Sequence, residues 1–261
     1  MIDGLVNFRD TGGTPLASGG VTRHGVLFRS EALGRATPAG LQAFAESPIG
    51  VVVDFRTDRE RAHTPDLLPD TRAFRIVELS LLEGAVSELA KDAVGAAGPD
   101  VSRDAAAILL ERLPALGELY VAMLSHAAES FAHVARLVAA SRDEEPSAVL
   151  VHCTAGKDRT GIATALLLDA VGATREAIVA DYTASGRNLA GPWADAVLAS
   201  IERHNMPVTP RLRELATETP AEAIEHALAW VESQHDSVAG YLRSGGLSDA
   251  ELTTLRSRLA G

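Results

Sequence analysis

The chain has 261 residues, enough for one large domain or two small ones, and its 24 Lys and Arg against 35 Asp and Glu leave a formal net charge of -11. That acidity excludes nucleic acid as a default partner, because phosphate backbones demand basic surface. The single cysteine excludes an intramolecular disulfide and a cysteine-rich zinc site, and no run is long and apolar enough to read as a membrane span.

In chain order, residues 1–35 read as short strands and turns punctuated by Gly12-Gly13 and Gly19-Gly20, with Gly25 to Arg29 a short strand. Thr37-Pro38 predicts a helix start, with threonine as N-cap, proline at the first position and Leu41, Phe44 and Ala45 on the buried face. The β-branched run Ile49 to Phe55 predicts a central strand, and Arg72 to Leu79 alternates like another. From Gly84 to about Ala115 the chain is rich in Ala, Gly and acidic residues. That stretch reads equally as a loosely packed surface insertion or as a cover over a site, with Ser102 capping a helix through Ile108, Leu109 and Leu113. Apolar residues then recur at helical spacing from Leu116 to Val138, which assigns Tyr120 and Met123 to the core. Val149 to Val151 is a strand, a helix begins near Thr160 and stops at Gly172, and Arg175 to Ser185 is a further helix. Residues 193–261 read as helices broken at Pro207 to Pro210, at Pro220 and at Ser244-Gly245-Gly246. Strands separated by helices predict an α/β fold with a mainly parallel central sheet flanked by helices. With no internal repeat and no linker, a single domain over 1–261 is the economical reading.

The strand-to-helix junction His152-Cys153-Thr154-Ala155-Gly156-Lys157-Asp158-Arg159-Thr160-Gly161 carries the chemistry. A thiol attacks phosphorus only as a thiolate, and free cysteine, with a pKa of about 8.5, is mostly protonated at neutral pH. A helix start offers partial positive charge and unpaired N–H groups, which favour both a thiolate and a phosphate. Gly156 permits a close backbone approach or a positive φ. Arg159 returns to the rim, where its planar fork matches two phosphate oxygens. Thr160 is placed to donate a hydrogen bond to the cysteine sulfur as it leaves. A lone cysteine is more often a small buried hydrophobe, but His, Cys, Gly, Arg and Thr together in this context are rare by chance. A nucleotide-binding P-loop would need glycine five residues before Gly156 and Ser or Thr after Lys157; Val151 and Asp158 stand there.

His152-Cys153-x5-Arg159-Thr160 resembles the signature of the cysteine-based protein tyrosine phosphatases. The fuller string is similar to the bacterial branch typified by mycobacterial protein tyrosine phosphatase B. Asn7-Phe8-Arg9-Asp10, Leu27-Phe28-Arg29-Ser30, Val53 to Glu60, Ile178 to Tyr182 and Gly240 to Arg243 resemble that branch in the same order, so the likeness spans almost the whole chain. The resemblance implies hydrolysis of phosphate monoesters through a phosphocysteine: Cys153 attacks, Arg159 and the loop from Thr154 through Ala155, Gly156, Lys157 and Thr160 bind phosphate, and His152 supports the loop. It implies no cofactor and no metal. This chain departs from the upstream Trp-Pro-Asp acid loop of related tyrosine phosphatases, since Trp193 and Trp230 both follow Cys153. Asp158 is therefore the first candidate for proton donor and Glu83 the second, while Asp54, Arg56 and Glu60 read as a structural charge network. Lys157, a second cation in the loop, suits substrates with more than one phosphate. Phosphotyrosine in proteins is the expected substrate, with phosphoinositides and phosphoserine or phosphothreonine as further classes. The alternatives are a catalytically weak phosphate-binding module and a phosphoinositide-specific phosphatase. Sulfur transfer of the rhodanese kind fits Thr160-Gly161 and the flanking motifs less well. Met1 to Gly4 lack a basic, apolar leader, so the expectation is a cytoplasmic enzyme, with export lacking a cleaved signal left open.

Overall fold

The apolar run that leads into Cys153 is the middle strand of a five-stranded sheet. The computed structural model describes residues 2–81, 102–144 and 146–260. Its strands are β1 (Arg9–Asp10), β2 (Leu27–Ser30), β3 (Ile49–Asp54), β4 (Arg75–Glu78) and β5 (Ala148–His152), in the spatial order β1-β2-β5-β3-β4. Among these described strands only the β1–β2 pair is antiparallel. The expected mainly parallel α/β architecture is therefore present. β5 is buried along its whole length, as a parallel strand covered on both faces must be. Successive side chains point to opposite faces: Val149 and Val151 enter the larger core with the helices, and Leu150 enters a smaller one with Ile49, Val52 and Phe44.

Helices α1 (Pro38–Glu46), α2 (Asp58–His63), α3 (Arg103–Leu110), α4 (Leu116–Leu124), α5 (Ala128–Ala139) and α6 (Arg159–Ala170) come first. Then follow α7 (Arg175–Asn188), α8 (Pro192–Arg203), α9 (Pro210–Thr217), α10 (Ala221–His235), α11 (Val238–Ser244) and α12 (Asp249–Ala260). None is long and apolar enough to cross a membrane. Capping fixes several starts as the sequence predicts: the Thr37 side chain accepts from Gly40 N–H and the Ser102 side chain from Ala105 N–H. Gly172, at φ +88°, follows the end of α6 as expected. Of residues 84–115, those from 102 onward are described, with Ala106 buried and Leu110 and Leu113 in the larger core. Glu83 lies outside the described residues.

The periodic run from Leu116 to Val138 is two helices rather than one. At Ser125–Ala127 the chain tightens, with His126 N–H bonding Met123 O, and the freed Leu124 carbonyl accepts from Tyr241 Oη at 2.7 Å. A tertiary partner thus satisfies a carbonyl that a continuous helix would have used. Apolar spacing cannot show such a break.

Sheet register determines where the site forms. Ser30, His152 and Asp54 end their strands side by side. The segments that follow them, starting at Glu31, Phe55 and Cys153, therefore meet at the carboxyl edge of the sheet, where open α/β sheets bind ligands.

Candidate active site

Cys153 is the first residue past β5, and α6 begins at Arg159. Between them the loop turns back on itself, with Gly156 at φ +68°. A Cβ on Gly156 would lie 2.3 Å from Ser30 O and 2.6 Å from Glu31 N, so only glycine lets the loop rest on the end of β2. The loop carbonyls have partners elsewhere: Thr154 O takes Ala32 N–H, Lys157 O takes Gly161 N–H and Asp158 O takes Ile162 N–H. Gly156 N–H points at Cys153 Sγ, 3.3 Å away. Among the described residues no protein acceptor takes the N–H groups of Ala155, Lys157, Asp158 or Arg159. The sulfur, 2% exposed with its residue, lies at the base of this loop.

Arg159 is held by a fork-to-fork pair with Glu60, Nη2 to Oε1 at 2.6 Å and Nη1 to Oε2 at 2.8 Å, and Nη1 also donates to Phe55 O at 3.2 Å. Its Nε is buried with no acceptor among the described residues. A buried donor left unpaired is costly, and an anion over the loop is what would satisfy it. Glu60 is itself fixed as the third residue of α2, completing a capping box with Thr57, and accepts from Thr154 Oγ1. The sequence pattern placed Glu60 in a structural network; the fold makes it the direct partner of Arg159. Burial pushes the Glu60 carboxyl up, but hydrogen bonds and charge from Arg159, with Thr154 and Thr57, bring it down to about 2.

A folded value below the unfolded one means Glu60 stabilises the protein fully above its ordinary titration range near 4.5, and that this stabilisation is lost as pH falls toward about 2. Urea unfolding followed from pH 5 to pH 2 should show an acid slope that Glu60→Gln reduces. Equal slopes in the two proteins would remove Glu60 from the acid response.

Asp54 and Arg56 form the expected charge network, joined by a residue the sequence did not single out. The buried Arg56 donates Nη2 to Asp54 Oδ2 at 2.8 Å and to Asp66 Oδ2 at 2.6 Å. His152 Nε2 lies 3.3 Å from that Asp66 oxygen, although neither ring nitrogen makes a well-aligned hydrogen bond. Asp54, Asp66 and His152 have the proximity of a metal-ligand set. Arg56 already bridges both carboxylates, so the oxygens that a metal ion would use are engaged by a guanidinium. Burial raises the Asp66 carboxyl, and the contacts from His152, Arg56 and Leu33 N–H outweigh it, holding it below its ordinary range.

Asp158 sits at the N-cap of α6, mostly buried. Its Oδ1 accepts from Tyr120 Oη at 2.6 Å and from Lys157 Nζ at 2.9 Å. Tyr120 has one hydroxyl hydrogen, given to Asp158, so Tyr182 donates to Tyr120 across their 2.7 Å contact. Burial first, and then the Asp158 charge, push both phenols up. The Tyr120 ring is in the core as expected, but its hydroxyl belongs to the site, which apolar spacing cannot reveal.

Two expectations need correction. Lys157 is not a free cation at the loop's mouth: its residue is 2% exposed, and Nζ also donates to Leu215 O at 2.9 Å and Glu218 O at 3.2 Å. An ammonium has three hydrogens, and all three have acceptors here. Nor does Thr160 bond the sulfur; its buried hydroxyl has no partner among the described residues.

A thiol at the start of a strand-to-helix loop, with Gly156 N–H aimed at it and further loop N–H groups and an arginine Nε unpaired among the described residues, at the carboxyl edge of a parallel sheet, defines a cysteine-dependent phosphatase. The chain belongs to the tyrosine phosphatase family, whose model matches residues 1–261. A tyrosine-protein phosphatase of Nostoc commune is 34% identical over 88% of this chain and 73% of its own length. The triple specificity protein phosphatase PtpB of Mycobacterium tuberculosis is 30% identical over 100% of this chain and 98% of its own. A crystal structure of P. aeruginosa TpbA aligns at 16% identity and a TM-score of 0.37, covering 84% of this chain and 86% of that one.

Proposed function

We propose that this phosphatase acts on phosphotyrosine in proteins, with Cys153 as nucleophile, Arg159 and the loop N–H groups as phosphate clamp, and Asp158 as proton donor. The observation that carries this reading is the set of donors the loop offers: Gly156 N–H aimed at Cys153 Sγ, and the other loop N–H groups and Arg159 Nε without a protein acceptor among the described residues. The thiolate forms the S–P bond as the P–O bond to tyrosine breaks. Asp158 reacts in its protonated form, with the proton on Oδ2 because Oδ1 is taken by Tyr120 and Lys157, and passes that proton to the departing oxygen. Water then attacks phosphorus, the S–P bond breaks, and Asp158 recovers the proton from water. Phosphoryl transfer gains chiefly from positioning and charge stabilisation, which the clamp supplies. His152 supports the loop from its start, while Thr154 and Ala155 contribute backbone.

Asp158→Asn should lower kcat by about 10²–10⁴-fold for phosphotyrosine peptides, whose leaving group needs a proton, and far less for an activated aryl phosphate. Equal losses on both substrates would remove Asp158 from the donor role and turn attention to Glu83.

Because Lys157 is tied to Asp158 and two carbonyls, it offers no free cation for a second phosphate, so phosphotyrosine stands ahead of phosphoinositides. The mycobacterial relative's name speaks of triple specificity, which motivates a panel that adds phosphoserine and phosphothreonine peptides and phosphoinositides. Highest kcat/KM on phosphotyrosine supports this order; highest kcat/KM on a phosphoinositide reverses it.

A further inference from the structure

The N-terminal motif Asn7-Phe8-Arg9-Asp10 and the buried Arg29 take no part in the chemistry above, yet both reach the back of the phosphate loop. Asn7 Nδ2 donates to Ala155 O at 3.0 Å and to Gly156 O at 3.1 Å. Arg29 Nη2 donates to Gly156 O at 2.8 Å. Both residues are fully buried.

In a trans peptide the carbonyl of one residue and the N–H of the next lie in one plane and point in opposite directions. Drawing a carbonyl to one side therefore turns the following N–H to the other. Ala155 O, held by Asn7, shares its plane with Gly156 N–H, the group that points at Cys153 Sγ. Gly156 O, held by Asn7 and Arg29, shares its plane with Lys157 N–H. The carbonyls of Thr154, Lys157 and Asp158 are held by backbone N–H groups. Ala155 and Gly156 are the loop carbonyls held by side chains.

Those side chains are themselves fixed. Asn7 N–H donates to Glu31 Oε2 at 3.0 Å, and Asn7 Oδ1 accepts from Arg9 Nη1 at 2.6 Å and Asn188 Nδ2 at 3.3 Å. With its oxygen committed to those donors, the amide must present its NH₂ to the loop. Arg29 is clamped by Asp181 and by Ser185 Oγ, both on α7. Arg9 donates to the same two residues, Asp181 Oδ1 at 2.8 Å and Ser185 Oγ at 3.0 Å.

We propose that Asn7 and Arg29 are positioning residues for the phosphate loop, turning the Gly156 and Lys157 N–H groups toward the sulfur and the phosphate by holding the Ala155 and Gly156 carbonyls. The proposal rests on Cys153 as nucleophile. Its test reads the thiolate directly, so that it can fail while that reading stands.

Asn7→Asp keeps the side-chain volume and the contact with Arg9, but sets a carboxylate oxygen against the loop carbonyls. Fewer N–H groups then stabilise the thiolate. The rate at which iodoacetamide alkylates Cys153 at pH 6 should fall about tenfold, kcat should fall by about 10–100-fold, and the affinity for inorganic phosphate should drop. Arg29→Lys, which retains one donor toward Gly156 O, should lose less than Asn7→Asp. Folded variants whose alkylation rate and kcat stay within twofold of the parent overturn the proposal. Should both variants fail to fold, the unsubstituted protein decides. The Gly156 and Lys157 amide ¹⁵N–¹H resonances should move together as Cys153 ionises, and no movement of either overturns the proposal. If wild-type and Cys153→Ser proteins turn over equally, the nucleophile assignment fails instead.

Discussion

Cys153→Ser should reduce turnover of phosphotyrosine peptides by on the order of 10⁵-fold, the scale expected when a covalent nucleophile is removed. A serine hydroxyl in the same place stays protonated, because nothing among the described residues lies against Cys153 Sγ to take its proton; the contact there is a donor, Gly156 N–H at 3.3 Å. Attack on phosphorus needs an ionised nucleophile, and serine does not supply one. Binding should survive. The smaller oxygen fits where sulfur fits, and Arg159 and the loop N–H groups are untouched. Isothermal titration with a phosphotyrosine peptide should therefore give an affinity within a few-fold of the parent, beside single-turnover rates near zero. Turnover within tenfold of the parent would mean that phosphorus is attacked by some other group, and the mechanism would have to be rebuilt around water.

Arg159→Lys should lower kcat on the order of 10³-fold, about 4 kcal/mol of transition-state stabilisation. The substitution keeps the positive charge opposite Glu60, so the fold and the tie between α2 and α6 are expected to persist. What it loses is geometry. Arg159 uses Nη1 and Nη2 on Glu60 while Nε stays buried and unpaired; a planar guanidinium can serve a carboxylate and a phosphate at once. A single ammonium must choose, and the Glu60 carboxylate is always present. Because the clamp grips the equatorial oxygens most tightly in the transition state, kcat should fall more than KM rises. A variant that loses affinity with kcat preserved would mean that Arg159 binds ground state and transition state alike. Thermal melting within a few degrees of the parent separates this loss from a general loss of structure.

Much of the fold was legible in the chain because the relevant signals are local. The β-branched run at Ile49 to Phe55, the Thr37-Pro38 start and the stop at Gly172 depend on a few neighbouring residues. The strand-to-helix loop was legible for the same reason: its cysteine, turn glycine and arginine lie within seven residues, Cys153 to Arg159. Where the sequence misled, a distant partner decided. Where the helix ends at Leu124, Tyr241, far along the chain, takes the freed carbonyl. Lys157 looked like a second cation for substrate because its charge is visible in sequence, whereas the Leu215 and Glu218 carbonyls that occupy it are not. Asp66 joined the Asp54–Arg56 pair with no local pattern to announce it.

The sequence by itself determined that a thiol, a turn glycine and an arginine fork stand between a buried strand and a helix, since covalent neighbours and helical geometry bring such residues together in any fold that keeps the junction. Only the tertiary structure decided which side chains hold that loop in working shape. Parallel register set the ends of β2, β3 and β5 abreast, and so brought Glu60 to Arg159 and Arg29 to the back of the loop; the antiparallel β1–β2 pair brought Asn7 there, and α4 brought Tyr120 to Asp158. Hydrogen bonds act over about 3 Å, so such partners become visible only once the sheet has closed the distance that the sequence leaves open.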